Sequence, residues 1–394
     1  MTPLPLEGIR VVEFSHMVMG PSCGLILADL GAEVIKVEPP GKGDRTRYLT
    51  STGTGFFASF NRNKKSVQLD LESEAGRAVA RKLILSADVM IENFRPGAFA
   101  EKGLDPDGLR VENPRLITCS LKGFLSGPYE NRTALDEVVQ MMSGLAYMTG
   151  PPGRPLRAGA PVNDMGGGAF AAIGILAALR HRDVTGRGQH VQSGLFEFAS
   201  WLVCTHMVQE AFTGRTPPPM PAGKRAWGVY DVFESSDGVA LFIGVVTERQ
   251  WELFTGAMNE PALADPRFVT NNERSRHREI LIPIVAEMVK RQPAAFWEAL
   301  CVEAGLPFAR VIAPGELLDD PHLNATGGMV PTRMQDGRET RIPALPIQFD
   351  EARLGLRSLP PEPGRHTREV LLALGLGEAE IAAASGAARA TAAE

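Results

Sequence analysis

The chain is poor in the residues that staple or metallate a fold. Its four cysteines, Cys23, Cys119, Cys204 and Cys301, lie far apart in mostly apolar contexts. That pattern argues against a disulfide framework or a zinc site, and fits buried thiols in a reducing, cytoplasmic compartment. Seven histidines are dispersed with no metal-ligand spacing, so no metal site is expected. No apolar run approaches the ~20 residues that cross a bilayer. The segment Met1-Thr2-Pro3-Leu4-Pro5 lacks the basic-then-apolar pattern of a secretory leader. An excess of positive charge is missing too: the net charge is −5, which argues against a nucleic-acid binder. There is no Walker A sequence and no G-x-S-x-G elbow. Gly20 and Gly24 are spaced G-x-x-x-G, which is not a dinucleotide fingerprint.

What is present is a carboxylate in a glycine-rich setting. Gly159-Ala160-Pro161-Val162-Asn163-Asp164-Met165-Gly166-Gly167-Gly168 precedes the apolar run Ala169 to Leu179. Asp164 then stands at or near a helix N-terminus, where unpaired N–H groups can receive a negative oxygen. Two readings follow: a helix cap, or a nucleophile beside an oxyanion site made by Gly166 and Gly167. The second unusual stretch runs from Lys36 to Lys65. It holds seven basic and two acidic residues, a local charge of +5 in an acidic protein. It reads as a solvated surface or as a site for a phosphate-bearing small molecule. A carboxylate plus a phosphate site points to covalent carboxylate catalysis on an acyl group carried by a nucleotide-like handle.

With 394 residues, two or three domains are expected. Strands at Gly8–Phe14 and Glu33–Val37 flank a helix opened by Gly20-Pro21, a βαβ unit. A helix at Glu74–Leu85, a strand at Val89–Asn93 and another at Leu116–Ser120 continue the alternation, which favours a doubly wound α/β sheet. Ligands of such sheets sit at the strands' carboxyl ends, which places Ser15-His16-Met17, Asn93-Phe94-Arg95 and the Lys122 region on one rim. Pro217-Pro218-Pro219 reads as a linker. A hairpin around Asp237-Gly238 and three helical stretches then form an α+β module. Strand-like segments resume near Val330, a last helix spans Thr367–Leu374, and the Ala-rich tail after Ala382 is expected to fray.

The chain resembles the class III coenzyme A transferases, the group of formyl-CoA transferase and carnitine CoA-transferase that also includes α-methylacyl-CoA racemase. The resemblance rests on Phe14-Ser15-His16 with Gly20-Pro21, Leu30-Gly31-Ala32-Glu33-Val34-Ile35-Lys36-Val37-Glu38, and Asn61-Arg62-Asn63-Lys64-Lys65-Ser66. It continues through Glu92-Asn93-Phe94-Arg95-Pro96-Gly97, Asn113-Pro114-Arg115-Leu116-Ile117 and Thr185-Gly186-Arg187-Gly188-Gln189. It implies a Rossmann-like large domain, residues 1–215 completed by 326–394, and a smaller α+β domain with its linker at 216–325. It further implies an interlocked, ring-like homodimer with acyl-CoA and carboxylic acids as substrates and no permanently bound cofactor. Nucleic-acid and membrane partners are not expected.

By the same resemblance Asp164 is the nucleophile, forming anhydride and aspartyl-CoA intermediates. His16, Met17, Val18 and Met19 match the loop along the pantetheine and adenine channel, and Leu69, Asn93 and Phe94 match other CoA contacts, with Arg95 beside them. Pro39 stands where many members carry a phosphate-binding Arg, Glu72 where one subgroup has Lys, and Glu101 where some have Arg. Lys42, Arg45, Arg47 or Lys102 then become the compensating cations. Asp136 matches an acidic position of the transferases and either positions substrate or supports the site. The racemases place a histidine at Leu135, and Leu moves no proton. The expected activity is therefore CoA transfer to a carboxylic acid; racemisation and a non-catalytic CoA-binding scaffold are the alternatives. Arg225, Lys224, Arg47 or Arg157 is expected to pair with a distal carboxylate, which points to dicarboxylates such as succinate, itaconate, citramalate or mesaconate.

Overall fold

The computed structural model describes residues 4–223 and 225–386. The chain divides into two compact units, one of residues 1–221 and 320–394, the other of residues 222–319.

The first unit is built on six short strands: β1 (Arg10–Phe14), β2 (Glu33–Glu38), β3 (Lys64–Gln68), β4 (Val89–Glu92), β5 (Ile117–Lys122) and β6 (His190–Gly194). They form one parallel sheet in the order β3-β2-β1-β4-β5-β6. Side chains alternate between two cores, as period-2 strands covered on both faces require. Val11, Val34, Val89 and Ile117 face one layer; Val12, Ile35, Val67 and Met90 face the other. The first layer contains α1 (Met19–Asp29); the second contains α2 (Glu74–Leu85), whose N-cap Ser73 accepts the Gly76 N–H.

Further along, α3 (Asp136–Met142) precedes the 24-residue α4 (Val162–Thr185), which lies against α1. By length and composition α4 could cross a bilayer. Here it presents Ala171, Ala172, Ile175 and Ala178 to the first core. After β6 comes α5 (Leu195–Leu202). In the second unit, β7 (Val229–Glu234), β8 (Ala240–Val245) and β9 (Phe308–Arg310) form an antiparallel sheet. Its first hairpin turns at Asp237-Gly238, where Gly238 has φ +75°.

The C-terminal part returns to the first unit. A helix at Thr367–Ala373 and another at Glu378–Ala384 supply Val370, Leu371, Ile381 and Ala384 to the second core. The Ala384 carbonyl accepts the Asp70 N–H at 2.8 Å. The alanine-rich start of the expected frayed tail is therefore ordered as far as Gly386, because burying its small side chains secures it; residues 387–394 lie outside those described.

Candidate active site

In a doubly wound sheet the strand order reverses at one point, and the loops leaving the two flanking strands diverge to open a crevice. Here that point lies between β1 and β4. The loops after them join: the Asn93 Oδ1 accepts the His16 N–H at 3.1 Å, and the Asn93 amide donates back to the His16 carbonyl at 2.9 Å. The His16 ring stacks on Phe94 with centroids 5.6 Å apart. Met17 takes the left-handed conformation (φ +63°), and its N–H donates to the Thr46 hydroxyl at 3.0 Å. A cavity of about 690 Å³ opens beside these loops, lined among others by His16, Met17, Met19, Asn93, Leu135 and Asp164.

Asp164 reaches this cavity from the first turn of α4. The orphan N–H groups of that turn are all claimed. Val162 donates to the Ala160 carbonyl and Met165 to that of Pro161, at 2.8 and 3.0 Å. Asn163 and Asp164 both donate to Asp136 Oδ2, at 2.8 and 3.0 Å. Asp136, buried at the start of α3, thus caps α4 from outside it and also accepts the Gln140 side-chain amide. With the capping done by Asp136, the Asp164 carboxylate has no hydrogen bond or ion pair among the described residues. Burial first, then the charges of Asp136 and Glu137, push its pKa up to about 7. A carboxylate this basic is a stronger nucleophile than an exposed aspartate, and part of its population is ionised at neutral pH.

Gly166 and Gly167 depart from the expected oxyanion role. They lie inside α4, where their N–H groups belong to the helical ladder. Their missing side chains serve packing. A Cβ on Gly166 would fall 2.0 Å from the Phe198 ring, and one on Gly167 2.5 Å from the Met19 methyl.

The basic stretch is also corrected. Lys36 bridges Glu13 and Asp44, Arg47 binds Glu38 at 2.6 Å, and Arg62 binds Asp29 at 2.6 Å. Lys64 meets Glu13 at 2.8 Å, and Lys65 meets Glu33 and Glu369. All but Lys65 are buried in these pairs, so Arg47 is spent inside the fold and is not available to a substrate carboxylate. Lys42 and Arg45 remain exposed. Burial pulls the Lys64 ammonium down to about 8. At Lys36 burial acts the same way, but Glu13, Asp44 and Glu38 outweigh it and raise the pKa.

The remaining expected residues divide by exposure. Met19 lines the cavity, whereas Val18 and Leu69, 1% exposed each, are packed among core side chains, which leaves their side chains no ligand surface. Arg95 pairs with Glu101 and borders a separate depression of about 250 Å³ with Lys122 and His190. Lys102 pairs with Glu72 at 2.6 Å. Arg225 belongs to the second unit, where its carbonyl accepts the Ser275 hydroxyl; Lys224 lies outside the described residues. Gln140 escaped the sequence reading, although its position four residues after Asp136 on a helix was the available signal.

A parallel α/β sheet that sets an unpartnered, basic carboxylate on the cavity at its crevice has the chemical means to attack an acyl carbon. A family profile described as CoA-transferase family III matches residues 6–367. The chain is 34% identical over 392 residues to succinyl-CoA–D-citramalate CoA-transferase of Chloroflexus aurantiacus, covering 96% of each protein. It is also 34% identical over 386 residues to succinate–glutarate CoA-transferase of Agrobacterium fabrum, covering 94% of this chain and 96% of that one. Among solved structures, a CAIB/BAIF family protein from Brucella suis superimposes with a TM-score of 0.84 at 32% identity, covering 95% of this chain and all of the other. The chain belongs to CoA-transferase family III, and it is an enzyme of that class.

Proposed function

We propose that this enzyme moves CoA between a dicarboxylyl-CoA thioester and a free dicarboxylic acid, with Asp164 as covalent carrier. Relatives named for succinyl-CoA with D-citramalate, glutarate and L-malate support the substrate class. The observation that carries the role of Asp164 is its unpartnered carboxylate, with a pKa near 7, on the crevice cavity.

An Asp164 oxygen attacks the thioester carbonyl, the C–S bond breaks, and CoA leaves as thiolate, giving an acyl-aspartyl anhydride. The thiolate attacks the aspartyl carbonyl, expels the donor acid as carboxylate and leaves an aspartyl-CoA thioester. The incoming carboxylate displaces the thiolate to form a second anhydride. Thiolate attack on its acyl carbonyl then releases the new acyl-CoA and frees Asp164. Each step exchanges one activated acyl bond for another, so CoA is substrate and no resident cofactor enters. With the N–H groups of α4's first turn occupied, the donors facing the developing oxyanion must lie outside that helix.

His16, Met17, Met19, Asn93 and Phe94 form the rim along which the pantetheine and adenine would lie. The proposed assembly is the interlocked homodimer of the family in the cytoplasm, and the exposed apolar side chains Phe170, Ile173, Trp201 and Phe212 support a partnered surface. Leu135 on the cavity wall supplies no proton carrier, which disfavours racemisation.

The test is peptide mapping by mass spectrometry after incubation with succinyl-CoA. A CoA thioester on Asp164, discharged by added dicarboxylate, is the expected result. Turnover without any Asp164 adduct under rapid quench, or exclusive use of monocarboxylates, would sink the proposal.

A further inference from the structure

The cavity beside Asp164 has a second pole. Three side chains with a basic nitrogen line it: His16, Lys122 and Arg157. Lys122 is held by Glu92 at 2.9 Å, and His16 is bound to Asn93. Arg157 is different. Its side chain is 38% exposed, and its one charged contact among the described residues, Nη1 to Glu137 Oε1, is a loose 3.3 Å. A guanidinium carries five donors in a planar fork, so most of its capacity to bind a carboxylate is uncommitted.

The backbone at Arg157 is fixed despite that exposure. The N–H of the next residue, Ala158, donates to Gln140 Oε1 at 2.8 Å, while the Gln140 amide donates to Asp136. Asp136 in turn holds the N–H groups of Asn163 and Asp164. The strap carrying Arg157 and the turn carrying Asp164 therefore hang from the same two buried side chains, Asp136 and Gln140. A carboxylate and an arginine anchored by the same two side chains on one cavity offer one pole for a reacting carbonyl and a second for a carboxylate elsewhere on the acyl group.

We propose that Arg157 is the residue that recognises the distal carboxylate of donor and acceptor, and that Glu137 competes with the substrate for the same guanidinium. This rests on the dicarboxylate reading given above. Arg47 cannot serve, because it is buried against Glu38.

The test compares succinate with butyrate, which has a methyl group where succinate has its second carboxylate, as acceptors and as CoA thioesters. Arg157→Gln should lower kcat/KM for succinate about 10- to 100-fold, the range for losing hydrogen bonds to a charged group, and leave butyrate unchanged. Arg157→Lys should recover part of the loss, since it keeps the charge without the fork. Glu137→Gln should lower the KM for succinate below that of the wild type. An equal loss on both acids with Arg157→Gln, or none on succinate, overturns the assignment. A wild-type enzyme that prefers butyrate overturns this inference together with the dicarboxylate reading, whereas a succinate preference that survives Arg157→Gln overturns this inference alone.

Discussion

Asp136 Oδ2 accepts the backbone N–H of Asp164 at 3.0 Å, so one carboxylate caps the helix and leaves the other free to react. The two acids stand 28 residues apart in sequence and have opposite employment: the Asp136 carboxylate is buried in hydrogen bonds, and that of the half-buried Asp164 has none among the described residues.

Replacing Asp164 should separate activity from stability. Asp164→Asn removes the proposed nucleophile and should lower kcat by at least about 10³-fold, in line with the loss of other covalent nucleophiles. The same change should raise the melting temperature at pH 8 but not at pH 4. An aspartate is ordinarily near 3.8, and the fold raises this one to about 7. The folded state therefore binds a proton that the unfolded chain has lost, and stability falls as pH rises from about 4 to 7. Above 7 the full cost of holding the half-buried anion is present, and Asn avoids it. Equal melting temperatures for both proteins at pH 8 would contradict the perturbed carboxylate.

The pH dependence of kcat/KM should report the same group. The rate should climb with pH through an inflection near 7 as Asp164 ionises. Asp136→Asn should move that inflection to lower pH without bringing it to the ordinary aspartate value, because burial is the larger cause and remains. It should also weaken the hold on the first turn of α4, because an amide has one accepting oxygen where Asp136 uses two. An inflection that stays in place in Asp136→Asn would show that Asp136 does not act on Asp164 through its charge.

Much of this organisation is legible in the chain because it is local. The Glu74–Leu85 helix is announced by Ser73 and by apolar spacing, and its observed ends coincide with the expected ones. The meeting of His16 with Asn93 follows from strand order alone, since both residues leave strands beside the switch point. What escapes is non-local. The charge of the 36–65 stretch is cancelled by Glu13, Asp29, Glu33 and Glu369, which lie outside it. The three glycines after Asp164 read as an oxyanion neighbourhood at a helix start until α1 and α5 are seen packed on them. Their spacing carries the needs of neighbouring helices, and nothing in the segment itself announces that.

Gly168 is the strictest of those contacts. A Cβ there would lie 2.1 Å from the Ser22 hydroxyl and 2.6 Å from the Met19 carbonyl, and the second of these is backbone that cannot rotate away. Gly168→Ala should therefore destabilise by about 1–3 kcal/mol, the range for overpacking, despite the better helix propensity of alanine. Pairing it with Ser22→Ala should recover only part of the loss in a denaturant titration. Full recovery would mean that the hydroxyl alone sets the limit.

The buried charges beneath α1 should matter through the loop they hold. Lys36 Nζ contacts Asp44 at 3.0 Å and donates to the Ser15 carbonyl at 2.5 Å. Asp44 accepts from the Thr46 hydroxyl, whose oxygen receives the N–H of the left-handed Met17. Lys36→Met removes the cation and leaves Asp44 without its counter-charge in a buried site, which should cost about 3–5 kcal/mol. Without the Lys36 contacts to Asp44 and to the Ser15 carbonyl, the Met17 loop should relax, so the KM for acyl-CoA should rise even at temperatures where the variant is fully folded. Arg95→Ala, which breaks only the exposed pair with Glu101, should leave the melting temperature unchanged. A Lys36→Met enzyme with wild-type KM would mean that the network supports the fold without shaping the rim of the site.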